Sequence, residues 1–146
     1  MARPVGADSN KDGRGVGIAD FDRDGRLDLV INNNHPTIYL NRFNATHNWI
    51  ALKLVGHRSN RDAIGARVQL RAGGNTLYRQ VEAGAGYASQ AMLPVHFGIG
   101  NATAIDTVTI QWPSGLVQQL DGTRLSINQQ FRIAEEETHV ATAIPR

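Results

Sequence analysis

Cysteine is absent from the 146 residues, so the chain can form no disulfide framework, thiolate zinc site or thiol nucleophile. No run of 18 apolar residues occurs, which excludes a membrane-spanning helix. The N-terminus Met1-Ala2-Arg3-Pro4-Val5 also lacks the apolar stretch of a signal peptide, and a chain that runs almost directly into motif sequence reads as a piece of something longer. A surplus of one charge is missing too: 15 Lys and Arg stand against 13 Asp and Glu, a formal +2. That excess is too small and too scattered for a nucleic-acid binder, which needs a basic stripe or a reading motif. Aromatics reach only 6%, but 41% hydrophobic residues suffice for a core and argue against wholesale disorder. The length allows one domain, or one domain with a short attached piece.

The charge that is present is unevenly placed. Six of the acids lie between Asp8 and Asp28, whereas residues 48–132 carry eight basic side chains against four acids. A short acidic segment therefore precedes a basic body.

Local patterning is strand and turn almost throughout. Short apolar or alternating runs begin at Val16, Leu27 and Thr37 and recur through Trp49–Val55, Ala66–Ala72, Thr76–Ala83, Val95–Gly98, Ile105–Trp112, Leu116–Leu120 and Arg124–Ala134. Gly73-Gly74-Asn75 predicts a hairpin turn between two of them, since glycine reaches the positive φ angles that tight hairpins need. In Arg67-Val68-Gln69-Leu70-Arg71 the valine and leucine face a core and the polar residues face water. Strands of this kind at roughly ten-residue spacing predict an all-β fold, an antiparallel sandwich or barrel-like domain. The last segment, 135–146, reads as a frayed end or linker.

The sharpest chemical signal is Asp20-Phe21-Asp22-Arg23-Asp24-Gly25-Arg26-Leu27-Asp28. Four carboxylates in nine residues repel one another unless a cation joins them, and calcium takes six to eight oxygens in a flexible shell. Asp20, Asp22 and Asp24 supply side chains, Arg26 its main-chain carbonyl and Asp28 a further carboxylate, with Gly25 permitting the sharp turn. The alternative is a solvated acidic turn. Magnesium fits less well, because it demands stricter octahedral geometry and keeps its waters. An EF-hand would place a glutamate at the twelfth position, where Ile31 stands in a strand, so the loop is expected to staple an N-terminal β-hairpin. Upstream, Asp8, Asn10 and Asp12 begin a similar pattern, but its ninth position is Val16, which favours a polar turn over a second site.

Residues Gly15–Asn33 resemble an FG-GAP/VCBS repeat, the calcium-holding unit of integrin-like β-propellers; one unit alone cannot close a propeller. The remainder resembles the ASPIC/UnbV domain of the cartilage acidic protein family and bacterial relatives. The stretches that carry this resemblance are Asn48–Gly56, Ser59–Val68, Gly84–Gln90, His96–Gly100 and Ile110–Gly115, in that order. It implies a partial repeat over 1–46, a β-sandwich over 47–134 and a tail over 135–146, in a secreted module without enzymatic activity.

Other groups carry less. His57, Arg58, Asn60 and Asp62 are either a ligand loop or a structural loop closed by Asx turns and an Asp62 pairing with Arg61 or Arg67. The histidines His35, His47, His57, His96 and His139 show no metal spacing, and no serine sits in a G-x-S-x-G elbow. Asn44 and Asn101 head N-glycosylation patterns. Trp49, Trp112, Tyr78 and Tyr87 offer a sugar-stacking platform, although strand tryptophans more often anchor a core. The expectation is an extracellular calcium-binding module for adhesion or self-assembly, with a homo-oligomer or an extracellular protein or glycan as partner. A carbohydrate-binding module is the alternative.

Overall fold

Alternation of apolar and polar side chains turns into paired strands wherever one face finds a core. The computed structural model describes residues 13–32, 35–43, 47–84, 86–87, 89–136 and 141–145. In chain order the strands are β1 (Gly15–Ala19), β2 (Asp28–Asn32), β3 (Thr37–Tyr39), β4 (Asn48–Val55), β5 (Arg67–Ala72) and β6 (Asn75–Gln80). They continue with β7 (Val95–Gly100), β8 (Thr107–Gln111), β9 (Val117–Asp121), β10 (Gln129–Ala134) and β11 (Ala141–Ile144). No α-helix occurs among the described residues, so none is long and apolar enough to cross a membrane. The fold is all-β, and it divides into two compact units, one drawn from Met1–Phe43 and Gly84–Met92, the other from Asn44–Ala83 and Leu93–Arg146.

The first unit holds a three-stranded antiparallel sheet in the order β1-β2-β3, with Val16 opposite Ile31, Ile18 opposite Leu29 and Leu29 opposite Tyr39. The Met92 N–H donates to the Ile18 carbonyl at 3.0 Å. Gly84–Met92 therefore belongs with the N-terminal unit, although it lies inside the 47–134 span expected for the sandwich.

The second unit is a sandwich of two four-stranded sheets, ordered β11-β10-β4-β7 and β6-β5-β8-β9. Ile50, Leu52, Phe97, Phe131 and Ile133 from the first sheet pack with Val68, Leu70, Val108, Ile110 and Leu120 from the second in one buried cluster. At about 25 cal/mol per Å² of apolar surface removed from water, this shared interior is the main source of the unit's stability. The expected hairpin is present. Gly73 and Gly74, at φ 55° and 77°, join β5 to β6 through the paired positive φ values of a tight turn.

Three expectations are corrected. The first sheet is mixed, because β10 runs parallel to β4, with Phe131 opposite Leu52. Parallel neighbours need a long crossover, and here the whole second sheet and β7 lie between them in sequence. The run Arg124–Ala134 is not one strand: a short 3-10 helix, Gly122–Arg124, precedes a loop and then β10. Asp121 caps that helix, and the Thr123 N–H and then its hydroxyl hold the Asp121 carboxyl below its usual range. Finally, segment 135–146 is not simply frayed. Glu135 is buried, and β11 pairs antiparallel with β10, where Ala143 stands opposite Phe131.

Trp112 lies in the core, and its indole N–H donates at 2.8 Å to Oε1 of buried Gln118. Gln118 Nε2 has no hydrogen-bond partner among the described residues. Trp112→Phe orphans the Gln118 carbonyl and opens a small cavity, so it is expected to cost about 2 kcal/mol in urea unfolding.

Candidate metal centre

The nine-residue carboxylate segment forms the connection between β1 and β2. Gly25 is buried at φ 92°, a conformation that an L side chain resists, and Arg23 also takes a positive φ of 60°. These two reversals fold the segment back on itself between β1 and β2.

Carboxylate oxygens of Asp20, Asp22 and Asp28 lie within 4.8 Å of one another. Oxygens bound to one calcium at 2.3–2.6 Å can be separated by about 5 Å at most, so a single ion can reach all three. Backbone groups fix two of them. Asp20 accepts the Asp24 N–H at 3.1 Å and the Gly25 N–H at 2.9 Å. Asp28, only 1% exposed, accepts the Phe21 N–H at 2.8 Å on one oxygen and the Asn41 N–H at 2.7 Å on the other. A buried carboxylate held only by amides is an incompletely compensated charge, and a cation beside it lowers that cost.

Asp24 does not join the trio. Its carboxylate accepts the Arg26 N–H at 2.8 Å and pairs with the Arg26 guanidinium. Asp22 in turn pairs with Arg42 at 3.1 Å. Of the expected side-chain ligands, the fold gathers Asp20, Asp22 and Asp28 and turns Asp24 toward a cation of the protein's own. The spacing pattern gave no sign of Asn41 and Arg42, which approach from beyond β3, where only three-dimensional pairing brings them near. The second candidate, Asp8, Asn10 and Asp12, lies outside the described residues.

A second carboxylate centre escaped sequence reasoning altogether. Glu135, 3% exposed, accepts three successive backbone N–H groups on Oε2, from His57 at 2.9 Å, Arg58 at 2.8 Å and Ser59 at 2.7 Å. Its Oε1 accepts the Ser59 hydroxyl at 2.8 Å and the Ser114 hydroxyl as well. Burial alone disfavours the charge, but the Ser114, Ser59 and His57 donors overcome it and bring the Glu135 pKa down to about 2. The ligand-loop reading of residues 57–62 gives way to a structural one. Asn60 Oδ1 accepts the Ile64 N–H and its amide donates to the Ile64 carbonyl, at 2.8 and 2.9 Å, while Glu135 ties down the loop's start. Asp62 makes no ion pair with Arg61 or Arg67 among the described residues.

The expected aromatic platform divides. Trp49 and Trp112 are buried, and Trp49 stacks on His96 at 5.5 Å, while Tyr78 and Tyr87 are exposed. Asn101 is exposed in a turn; Asn44 and His139 lie outside the described residues.

The chain belongs to the family described as ASPIC and UnbV, whose profile matches residues 56–140, the stretch that holds most of the sandwich and the Glu135 centre. It is similar to cartilage acidic protein 1 of Xenopus tropicalis, 29% identical over 135 residues, which cover 86% of this chain and 20% of that protein. It is also similar to cartilage acidic protein 1 of Mus musculus and of Homo sapiens, each 31% identical over 113 residues, covering 71% of this chain and 17% of the relative. The chain thus spans at most a fifth of the length of these curated relatives.

Proposed function

We propose that this chain is a non-catalytic, extracellular β-module whose N-terminal unit is a partial FG-GAP/VCBS repeat stapled by Ca²⁺, acting in adhesion or self-assembly. The convergence of Asp20, Asp22 and Asp28 carries the reading. Asp24 and the Arg26 carbonyl complete the shell once Asp24 releases the Arg26 guanidinium. The ion supplies charge neutralisation and cross-linking rather than chemistry, which suits a cysteine-free module outside the cell, where calcium is abundant. The similarity to cartilage acidic protein 1 supports the extracellular setting.

Calorimetric unfolding with Ca²⁺ and then with a chelator tests the staple. Calcium at a hundredfold excess over Kd adds about 2.7 kcal/mol, which for a unit this small, drawn from Met1–Phe43 and Gly84–Met92 and unfolding on its own, raises its Tm by about 10–20 °C. Asp22→Ala, at an exposed position, is expected to abolish the rise and leave the sandwich transition in place. A Tm indifferent to calcium overturns the reading.

Self-assembly rests on the outer edge of β3 in the β1-β2-β3 sheet, which pairs with no further strand among the described residues and presents main-chain donors and acceptors to a neighbour, whereas on β1 the Met92 N–H already engages the Ile18 carbonyl. Light scattering and negative-stain microscopy, with and without calcium, are expected to show concentration-dependent assembly. A protein that stays monomeric at high concentration leaves adhesion to other molecules as the role.

A further inference from the structure

We propose that the outer face of the β6-β5-β8-β9 sheet binds an acidic polysaccharide, a sugar chain bearing carboxylate or sulfate groups. Strand register defines this face, because directly opposed residues point to the same side of a sheet. Arg67 stands in a row with Gln80, Gln111 and Val117, Gln69 with Tyr78, Thr109 and Gln119, and Arg71 with Thr76, Thr107 and, at the far edge, Asp121. Val68 and Leu70, between them on β5, point into the core. The first two rows border a depression of about 440 Å³.

Charge, shape and hydrogen-bonding character together select the occupant. No carboxylate lines the depression, and neither Arg67 nor Arg71 makes an ion pair among the described residues. A guanidinium presents paired N–H donors that match the oxygens of a carboxylate or sulfate. Arg79 also borders the depression, but its guanidinium lies over the Phe97 ring. Tyr78 is 66% exposed, so its ring offers a flat apolar plate with a polar tip, suited to the C–H face of a pyranose. Gln69, Gln80 and Gln111 each carry both donors and acceptors, as sugar hydroxyls do. An added peptide strand would take the main-chain edge of β6 instead, whereas the depression is bordered by side chains from three strands. The face belongs to the sandwich, so binding is independent of calcium at the carboxylate loop.

Isothermal titration of the whole chain at low salt, with a heparin octasaccharide and with an oligogalacturonate, tests the proposal and separates sulfate from carboxylate recognition. Neutral dextran and polyglutamate serve as comparisons. Saturable binding to at least one acidic glycan is expected, weakened at least tenfold in Arg67→Ala/Arg71→Ala and about tenfold in Tyr78→Ala. All three positions are solvent-facing, and unchanged thermal melting confirms that the variants fold. Lys53→Ala, on the other sheet, is expected to leave affinity unchanged. Four results overturn the proposal: no saturable binding to either glycan, equal binding to polyglutamate, indifference to Tyr78→Ala, or an equal loss in Lys53→Ala.

Discussion

Glu135→Gln is expected to remove about 3 kcal/mol of stability at neutral pH, the linkage value of a carboxyl moved from 4.5 to about 2. The substitution keeps the side chain's shape but replaces one acceptor oxygen with a donor. That donor then faces either the His57, Arg58 and Ser59 N–H groups or the two serine hydroxyls. Because the folded pKa is depressed, the native glutamate contributes its full stabilisation above the unfolded-state value of 4.5, and loses it progressively as pH falls toward 2. Urea unfolding of both proteins across that range therefore gives two curves, separated by about 3 kcal/mol above pH 5 and converging near pH 2. Parallel curves would show that the Glu135 pKa is the same in the folded and unfolded states, and would overturn the prediction. The double variant Ser59→Ala/Ser114→Ala removes both hydroxyl donors to Oε1 and is expected to narrow the gap without closing it, since the three backbone donors remain.

Gly122→Ala is expected to cost more than 4 kcal/mol and to leave little folded protein at ordinary temperature. A Cβ at this position overlaps the Ile105 carbonyl oxygen and stands 2.8 Å from the Asp106 carbonyl carbon, both main-chain atoms. Neither can retreat. The same peptide pair is held in place by the Gly122 N–H, which donates to the Asp106 carbonyl at 3.1 Å, and by the Asp106 N–H, which donates to the Arg71 carbonyl at 2.8 Å. The loop before β8 is thus pressed against the start of the 3-10 helix by hydrogen bonds that a methyl group would have to break. Soluble yield, circular dichroism and a urea transition read the effect. Gly74→Ala, at an open hairpin position with φ 77°, is the milder comparison, costing about 1 kcal/mol from backbone strain alone.

Strand identity was legible because it depends on side-chain alternation, which neighbours in sequence display. Val68, Leu70 and Ala72 alternate with Arg67, Gln69 and Arg71, and the paired glycines that follow announce the turn. The carboxylate cluster could be seen for the same reason: Asp20, Asp22 and Asp28 lie within nine residues, and Gly25 marks the reversal that gathers them. What stayed hidden depends on distance along the chain. Glu135 meets its backbone donors 76 to 78 residues away, and nothing in a Glu-Glu-Glu run says which member is buried. Asn41 reaches Asp28 across 13 residues by the path of β3. The parallel partnership of β4 and β10 was equally unreadable, since hydrophobic period does not encode strand direction.

That parallel partnership also sets an order of events. β4 opens the sandwich unit, yet its neighbour β10 arrives about 80 residues later, so during synthesis one side of β4 remains an open edge. The hairpins β5-β6 and β8-β9 close over short loops and can form early. The sheet built on β4 closes only when β10 and β11 have emerged, and such long-range closure is intrinsically slow. Until then the chain exposes the apolar Ile50-Ala51-Leu52 segment beside that edge, and this is the interval in which a nascent chain is most exposed to mispairing with a second copy of itself.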